Sequence, residues 1–247
     1  MTATEASTHS GREYLSTVGT LIERLASAEW ANISLAADEL VAALSAGNTV
    51  HAFGTGHSHM LAEELFYRAG GLVRVSPILF KGLMLHSSAW LSTRLERLPG
   101  LAEALLDNHA VNAGDVVIVA SNSGGNAVTS ELVAGVRERG ARVIAVTSLN
   151  HATSSAARSN GPRLHELADV VIDNGGAVGD AAVMIEGFGQ RVAPTSTVVG
   201  AAILNAVVAE TVQRLVANGH TPEVYSSSNT SGGDAANSRF APGTGAS

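Results

Sequence analysis

The chain of 247 residues contains no cysteine, which excludes a disulfide framework, a thiol nucleophile and any zinc site built on sulfur. Lysine occurs once, as Lys81, so a Schiff-base mechanism would rest on that residue alone. Positive charge is in deficit: the net charge of −7 offers no attraction to nucleic acid or to an anionic membrane, and neither is expected as a partner. No stretch approaches the roughly 20 consecutive apolar residues of a membrane span. The opening segment, MTATEASTHSGREY, lacks a basic region followed by an apolar run. A cytoplasmic localisation is the expectation, and the missing cysteines fit it.

What is present is a globular composition with two distinctive turns. Hydrophobic residues make up 45% of the chain, enough to bury one large core, and one domain is expected. The first turn follows Val50-His51-Ala52-Phe53 and reads Gly54-Thr55-Gly56-His57-Ser58 before a helical pattern begins. The second follows Val116-Val117-Ile118-Val119-Ala120 and reads Ser121-Asn122-Ser123-Gly124-Gly125-Asn126, again ahead of a helix. Glycine lets the backbone approach a ligand, helix starts offer free N–H groups, and Ser121 and Ser123 add hydroxyl donors. At the carboxyl edge of a parallel sheet these features describe a cradle for a phosphate monoester. Neither turn carries the P-loop lysine, and Gly54-x-Gly56 has no third glycine three residues on, so a nucleotide cofactor is not expected.

Periodicity predicts helices over Tyr14–Trp30 and Ile33–Leu44, forming an N-terminal hairpin within residues 1–47. A strand, helix and strand follow over Thr49–Phe53, Ser58–Ala69 and Leu72–Val75, with Gly70-Gly71 as the helix stop. The connection from Pro77 to Ser92 has no clean period, and a long connection in a compact domain is often functional. Further elements are a helix over Leu98–His109, the second strand and turn, a helix over Ala127–Arg139, strands over Ala141–Val146 and Val170–Asp173, and a short turn at Leu164–Leu167. A long helix over Ser196–Asn218 is expected to be capped by the hydroxyls of residues 195–197. This alternation implies an α/β fold, a three-layer doubly wound parallel sheet over residues 48–222. Residues 223–247 form a tail too polar for a core, disordered at its end.

The order AFGTGHS, VVIVASNSGGN, ARVIAVTS and ADVVIDN resembles the sugar isomerase (SIS) domain family over roughly residues 10 to 218. GHSHMLAEELFYRAGG and SSNTSGGDAAN are similar to stand-alone members that carried only an uncharacterised-family label. The resemblance implies a phosphosugar ligand held by Gly56, His57 and Ser58 of the first turn and by Ser121, Asn122, Ser123 and Asn126 of the second. In sedoheptulose-7-phosphate isomerase a catalytic glutamate follows the first turn in an Ala-Glu-Leu context. Glu64 matches it, with adjacent Glu63 as the alternative. That enzyme's acid, a histidine on the last long helix, has no counterpart here: Asn205 stands about where it would be. The tail also lacks the lysine used by the isomerase part of glucosamine-6-phosphate synthase.

Glu63 and Glu64 are consecutive on a helix and diverge by about 100°, so one is expected to face the cradle as a base and the other solvent or a partner subunit. Their bland alternative is a pair of surface acids bridged to Arg68. His86, in the irregular connection, is the preferred general acid. His57 and His59 flank Ser58, but their rings are sent apart and no metal pattern is recognised; neither a metal nor a cofactor is expected. Glu96 reads as a helix-start acid, Asp173-Asn174 as a turn cap or a contact to sugar hydroxyls, and Arg68, Lys81 and Arg94 as surface cations or neutralisers of substrate charge.

The expected function is C2 proton abstraction from an amino- or N-acetylhexosamine 6-phosphate followed by loss of the C3 hydroxyl as water. The missing helix histidine and the likeness to N-acetylmuramic acid 6-phosphate etherase favour this dehydratase over the first alternative, an aldose-ketose isomerase. A non-catalytic phosphosugar sensor is the second alternative. A homodimer or higher even oligomer with shared sites is expected, because the hairpin and the long helix expose more apolar stripe than one sheet face covers.

Overall fold

The computed structural model describes residues 9–158 and 161–240. Five strands, β1 (Val50–Gly54), β2 (Val75–Ile78), β3 (Val116–Ala120), β4 (Arg142–Thr147) and β5 (Val170–Asp173), pair in parallel in the order β2-β1-β3-β4-β5. Val50 lies opposite both Val75 and Val116, and Ile144 opposite Val170. Around the sheet stand α1 (Ser10–Ser27), α2 (Trp30–Ser45), α3 (His59–Leu65), α4 (Ala89–Leu95) and α5 (Leu101–Asn108). They are followed by α6 (Ala127–Glu138), α7 (Leu149–Ala152), α8 (Leu164–Leu167), α9 (Ser196–Ala217) and α10 (Gly233–Asn237).

Strand residues alternate between two cores, which is why β3 reads as an unbroken apolar run. Val50, Ala52, Val116, Ile118, Ile144 and Val146 face Ile33 and Leu40 of α2 and Ile203 and Val207 of α9. Phe53, Val117, Val119, Val143 and Ala145 face Leu105 and Leu106 of α5 and Leu132 and Val136 of α6. Each fully buried Val, Leu, Ile or Phe among them contributes roughly 1.5–3 kcal/mol. The result is the three-layer parallel α/β arrangement with an N-terminal helical hairpin.

Several local expectations are corrected. The helix after the first turn is a 3-10 turn, Gly56–Ser58, followed by α3, which stops at Leu65 and not at Gly70. Phe66 is already extended and Tyr67 takes φ 46°, because the Tyr67 ring stacks edge-on against Tyr225 at 4.8 Å. Residues 70–73 do not join the sheet as a strand. Their backbone pairs outward with the tail, Gly70 N donating to the Tyr225 carbonyl at 2.8 Å and Val73 N to that of Glu223 at 3.0 Å. The parallel ladder therefore begins at Val75, and β2 contains Pro77, which an edge strand tolerates. The tail is less idle than its polarity suggests; the final residues, 241–247, lie outside the described ones.

Within the irregular connection lies α4, N-capped by Ser88, whose Oγ accepts from Leu91 N at 3.2 Å. An antiparallel hairpin of β6 (Ala181–Met184) and β7 (Arg191–Pro194) precedes α9 and was not foreseen. The α9 cap is not a local hydroxyl. It is the Asp180 carboxylate, which accepts from Thr195 N at 3.1 Å and Ser196 N at 2.9 Å. By length and composition α9 could cross a membrane, at mean hydropathy 1.3 over its best window, although polar and charged residues interrupt its apolar ones. In this fold it buries Val199, Ile203, Leu204, Val207 and Leu215 in the core.

Candidate functional site

With strand order 2-1-3-4-5, the chain leaves β1 and β3 in the crevice where the winding reverses, the place at which open α/β sheets bind ligands. Both distinctive turns leave from those two neighbouring strands. A cleft of about 360 Å³ opens there, a size that suits a monosaccharide phosphate. Gly56, His57, Ser58, Ser121, Asn122, Ser123 and Asn126 all line it, so the two turns converge on one space. A second cleft of equal volume offers Arg74, which already sits 3.7 Å from Glu223.

Local geometry explains the turn sequences. A Cβ on Gly54 would overlap the Ser58 carbonyl, and Gly124 sits at φ 63° with Leu164 directly over it. Gly56 N donates to the Leu83 carbonyl at 2.9 Å, fastening the first turn to the connection after β2. Ser121 Oγ accepts from Gly124 N at 3.1 Å, closing the second turn. Asn174 Nδ2 donates to Asn122 Oδ1 at 2.8 Å, which leaves the Asn122 amide N–H groups for the cleft. Ser58 and Ser123 have no side-chain hydrogen bond among the described residues, so both hydroxyls are free for a ligand.

Two carboxylates line this cleft beside the turns, and the first is Glu96. It follows α4, and its own carbonyl accepts from Val128 N at 3.2 Å, which seats it against the start of α6. Thr55 Oγ1 donates to Glu96 Oε2 at 2.8 Å. Burial holds the carboxyl above its ordinary pKa, a shift that the Thr55 and Asn126 hydrogen bonds and nearby Arg97 reduce but do not cancel. His151 also lines the cleft, and its Nδ1 accepts from Gly179 N at 3.0 Å, so its proton sits on Nε2. Asp180 lines the cleft too, with its oxygens committed to the α9 cap.

Glu63, Glu64 and His86 do not line the cleft. Glu64 pairs with Arg68 and accepts from Asn205 Nδ2 at 2.7 Å, so the residue standing in the histidine's place does meet that glutamate. Glu63 faces His59 and His86. Asp173 acts as a cap, accepting from Leu149 N at 2.9 Å and Gly175 N at 3.0 Å while Arg24 binds its other oxygen at 2.7 Å. Sequence reasoning gave Glu96 little weight because α4 was invisible in the irregular connection. Ser88 three residues before Leu91 marks that helix start, and an acid at a helix C-terminus opposes the dipole, which is itself a functional signal.

Residues 13–148, which contain both turns, match the SIS domain family. A UPF0309 protein of Brucella anthropi is 46% identical over 197 residues, 80% of this chain and 80% of that protein. Another, from Geobacillus kaustophilus, is 41% identical over 229 residues, 92% of this chain and 91% of its own length. Among solved structures, a phosphoheptose isomerase from Francisella tularensis matches with a TM-score of 0.55 at 14% identity, over 82% of this chain and 96% of the other. That likeness is one of fold.

Proposed function

The chain belongs to the SIS domain family, and from that membership we propose that it is an enzyme of phosphorylated sugars that removes water from an amino- or N-acetylhexosamine 6-phosphate. The observation that carries this reading is the half-buried Glu96 carboxyl sharing one cleft with the two serine- and glycine-rich turns. The phosphate is taken by the Ser58 and Ser123 hydroxyls and the free N–H groups of the second turn. After ring opening, Glu96 accepts the C2 proton and the electron pair moves into the C1 carbonyl. The pair then returns to expel the C3 hydroxyl, which leaves as water with the proton that Glu96 has just accepted, while His151 Nε2 donates a hydrogen bond to the departing oxygen. Here Glu96 replaces Glu63 or Glu64 as the base and, once protonated, replaces His86 as the acid.

Incubation with a panel of hexosamine 6-phosphates, read by mass spectrometry, tests the reaction. Loss of the mass of one water supports the dehydratase. An isobaric product makes the protein an isomerase using the same first step, and a thermal shift without product makes it a sensor.

We further propose that the protein works as a dimer or higher even oligomer. Trp90 is 84% exposed, Leu15 of α1 69% and Tyr67 62%, which is apolar surface suited to burial against a second copy. Sedimentation at micromolar concentration is expected to give an even oligomer, and a monomer would overturn this.

A further inference from the structure

None of the described residues that line the cleft is a lysine or an arginine, and two, Glu96 and Asp180, are carboxylates. An anion is therefore held there mainly by neutral donors, and the attraction a neutral amide offers depends on which end it presents. Asn122 is such an amide: its Nδ2 end attracts a phosphate and its Oδ1 end repels one.

The end that Asn122 presents is set from outside the cleft. Asn174 follows β5, is 2% exposed and does not itself line the cleft. Gly176 N donates to Asn174 Oδ1 at 2.8 Å. A backbone N–H only donates, so this contact fixes which end of the Asn174 amide faces Gly176 and turns Nδ2 the other way. There Nδ2 donates to Asn122 Oδ1 at 2.8 Å, and the Asn122 Nδ2 group is left for the cleft. The root of this chain is itself held: the Gly176 carbonyl accepts from Ser148 Oγ at 2.7 Å, and Asn174 N donates to the Thr147 carbonyl at 2.8 Å. Thr147 Oγ1 donates to the Asn122 carbonyl at 3.2 Å, which fixes the backbone from which the amide hangs. A Cβ on Gly176 would stand 2.9 Å from Asn174 Oδ1, so glycine there lets the N–H come close. A cap serving only the turn after β5 would need Asn174 Oδ1 alone, whereas its Nδ2 reaches 52 positions back to the second turn.

We propose that Asn174 is a positioning residue: it fixes which end of the Asn122 amide the cleft presents and so makes the second turn a receptor for anions. The inference rests on the reading of the cleft as a phosphate site and adds to it the residue that gives the neutral amide its sign.

The test is calorimetric titration of the full chain with sulfate, a dianion whose charge does not change between mildly acidic and basic pH, and with inorganic phosphate. Asn174→Asp keeps the shape and still accepts from Gly176 N, but its carboxylate has no proton to offer Asn122. The Asn122 amide must then turn its Nδ2 to the carboxylate and its Oδ1 to the cleft. Affinity for both anions should fall at least about tenfold, the loss of one charge-assisted hydrogen bond. Asn174→Ala carries the test without a buried charge and should weaken both about two- to tenfold, the equivalent of one neutral hydrogen bond. Asn122→Ala is the second axis of a double-mutant cycle. In its background Asn174→Asp should cost no more than about threefold and Asn174→Ala nothing measurable, because the amide through which Asn174 acts is gone. Anion binding by the parent that both Asn174 variants keep, or lose equally with and without the Asn122 amide, overturns the inference and leaves the phosphate reading standing. A parent that binds neither anion up to millimolar concentration removes the phosphate reading itself, and this inference with it.

Discussion

Replacing Glu96 by glutamine is expected to lower turnover by about 10²–10⁴-fold while sugar-phosphate binding survives. Glutamine keeps the shape and still accepts the Thr55 hydroxyl proton through Oε1, so the α4–α6 junction is undisturbed. Only the capacity to accept a proton is lost. As a base Glu96 must be ionised, and burial raises its pKa above the ordinary 4.5. The acid limb of kcat/KM should therefore lie above the ordinary glutamate range. Undiminished turnover in the variant would return the base to Glu63 or Glu64.

The same substitution should stabilise the fold at neutral pH. A carboxyl whose folded pKa is raised binds its proton more tightly in the native state. Its stability contribution is whole below the unfolded pKa and is lost as pH rises through the folded value. Glutamine mimics the protonated form at every pH. Glu96→Gln should thus melt above the parent at neutral pH, and the gap should close below the ordinary carboxylate range. Equal melting temperatures at both pH values would show that Glu96 is not strained by burial. A site residue that costs stability where the protein works is the usual sign of a group kept for chemistry.

The central sheet and the convergence of the two turns on one cleft were legible because their signals are local. Val116–Ala120 is a β-branched run followed at once by serine and glycine, and the residues that make the turn are also the residues that line the cleft. The place of Glu96 in that cleft was not legible for the opposite reason. Glu96 reaches the cleft only because its carbonyl meets Val128 and its carboxylate meets Thr55, contacts that span 32 and 41 positions of sequence. The edge strand slipped for a similar cause. Leu72-Val73 has a strand's composition, but which backbone satisfies it, that of β1 or the distant residues 223–225, is a tertiary matter. Asp180, which caps α9 from the far side of the β6–β7 hairpin in sequence, is a third case. Chemistry carried by a motif could be read from the sequence, and chemistry assembled by packing could not.

Exchanging Ser58 and Ser123 together for alanine should weaken binding of sugar phosphates, and of inorganic phosphate, by about 10²–10⁴-fold. Each hydroxyl would make a charge-assisted hydrogen bond worth roughly 1.5–3 kcal/mol, so two amount to about 3–6 kcal/mol. Ser121 makes a poorer probe, because its Oγ already accepts from Gly124 N and its removal would loosen the turn as well as the ligand. Ser58 and Ser123 hold no such internal bond among the described residues, so the double variant should melt within a degree or two of the parent. Both properties matter to the argument: affinity must fall while folding does not. The unphosphorylated sugar serves as control, and its weak binding should be the same in both proteins. Retained affinity for phosphate and for every phosphosugar that the parent binds would remove the anion from this cleft. The reading of Glu96 as a base would fall with it, because the base acts on a substrate that the two turns hold in place.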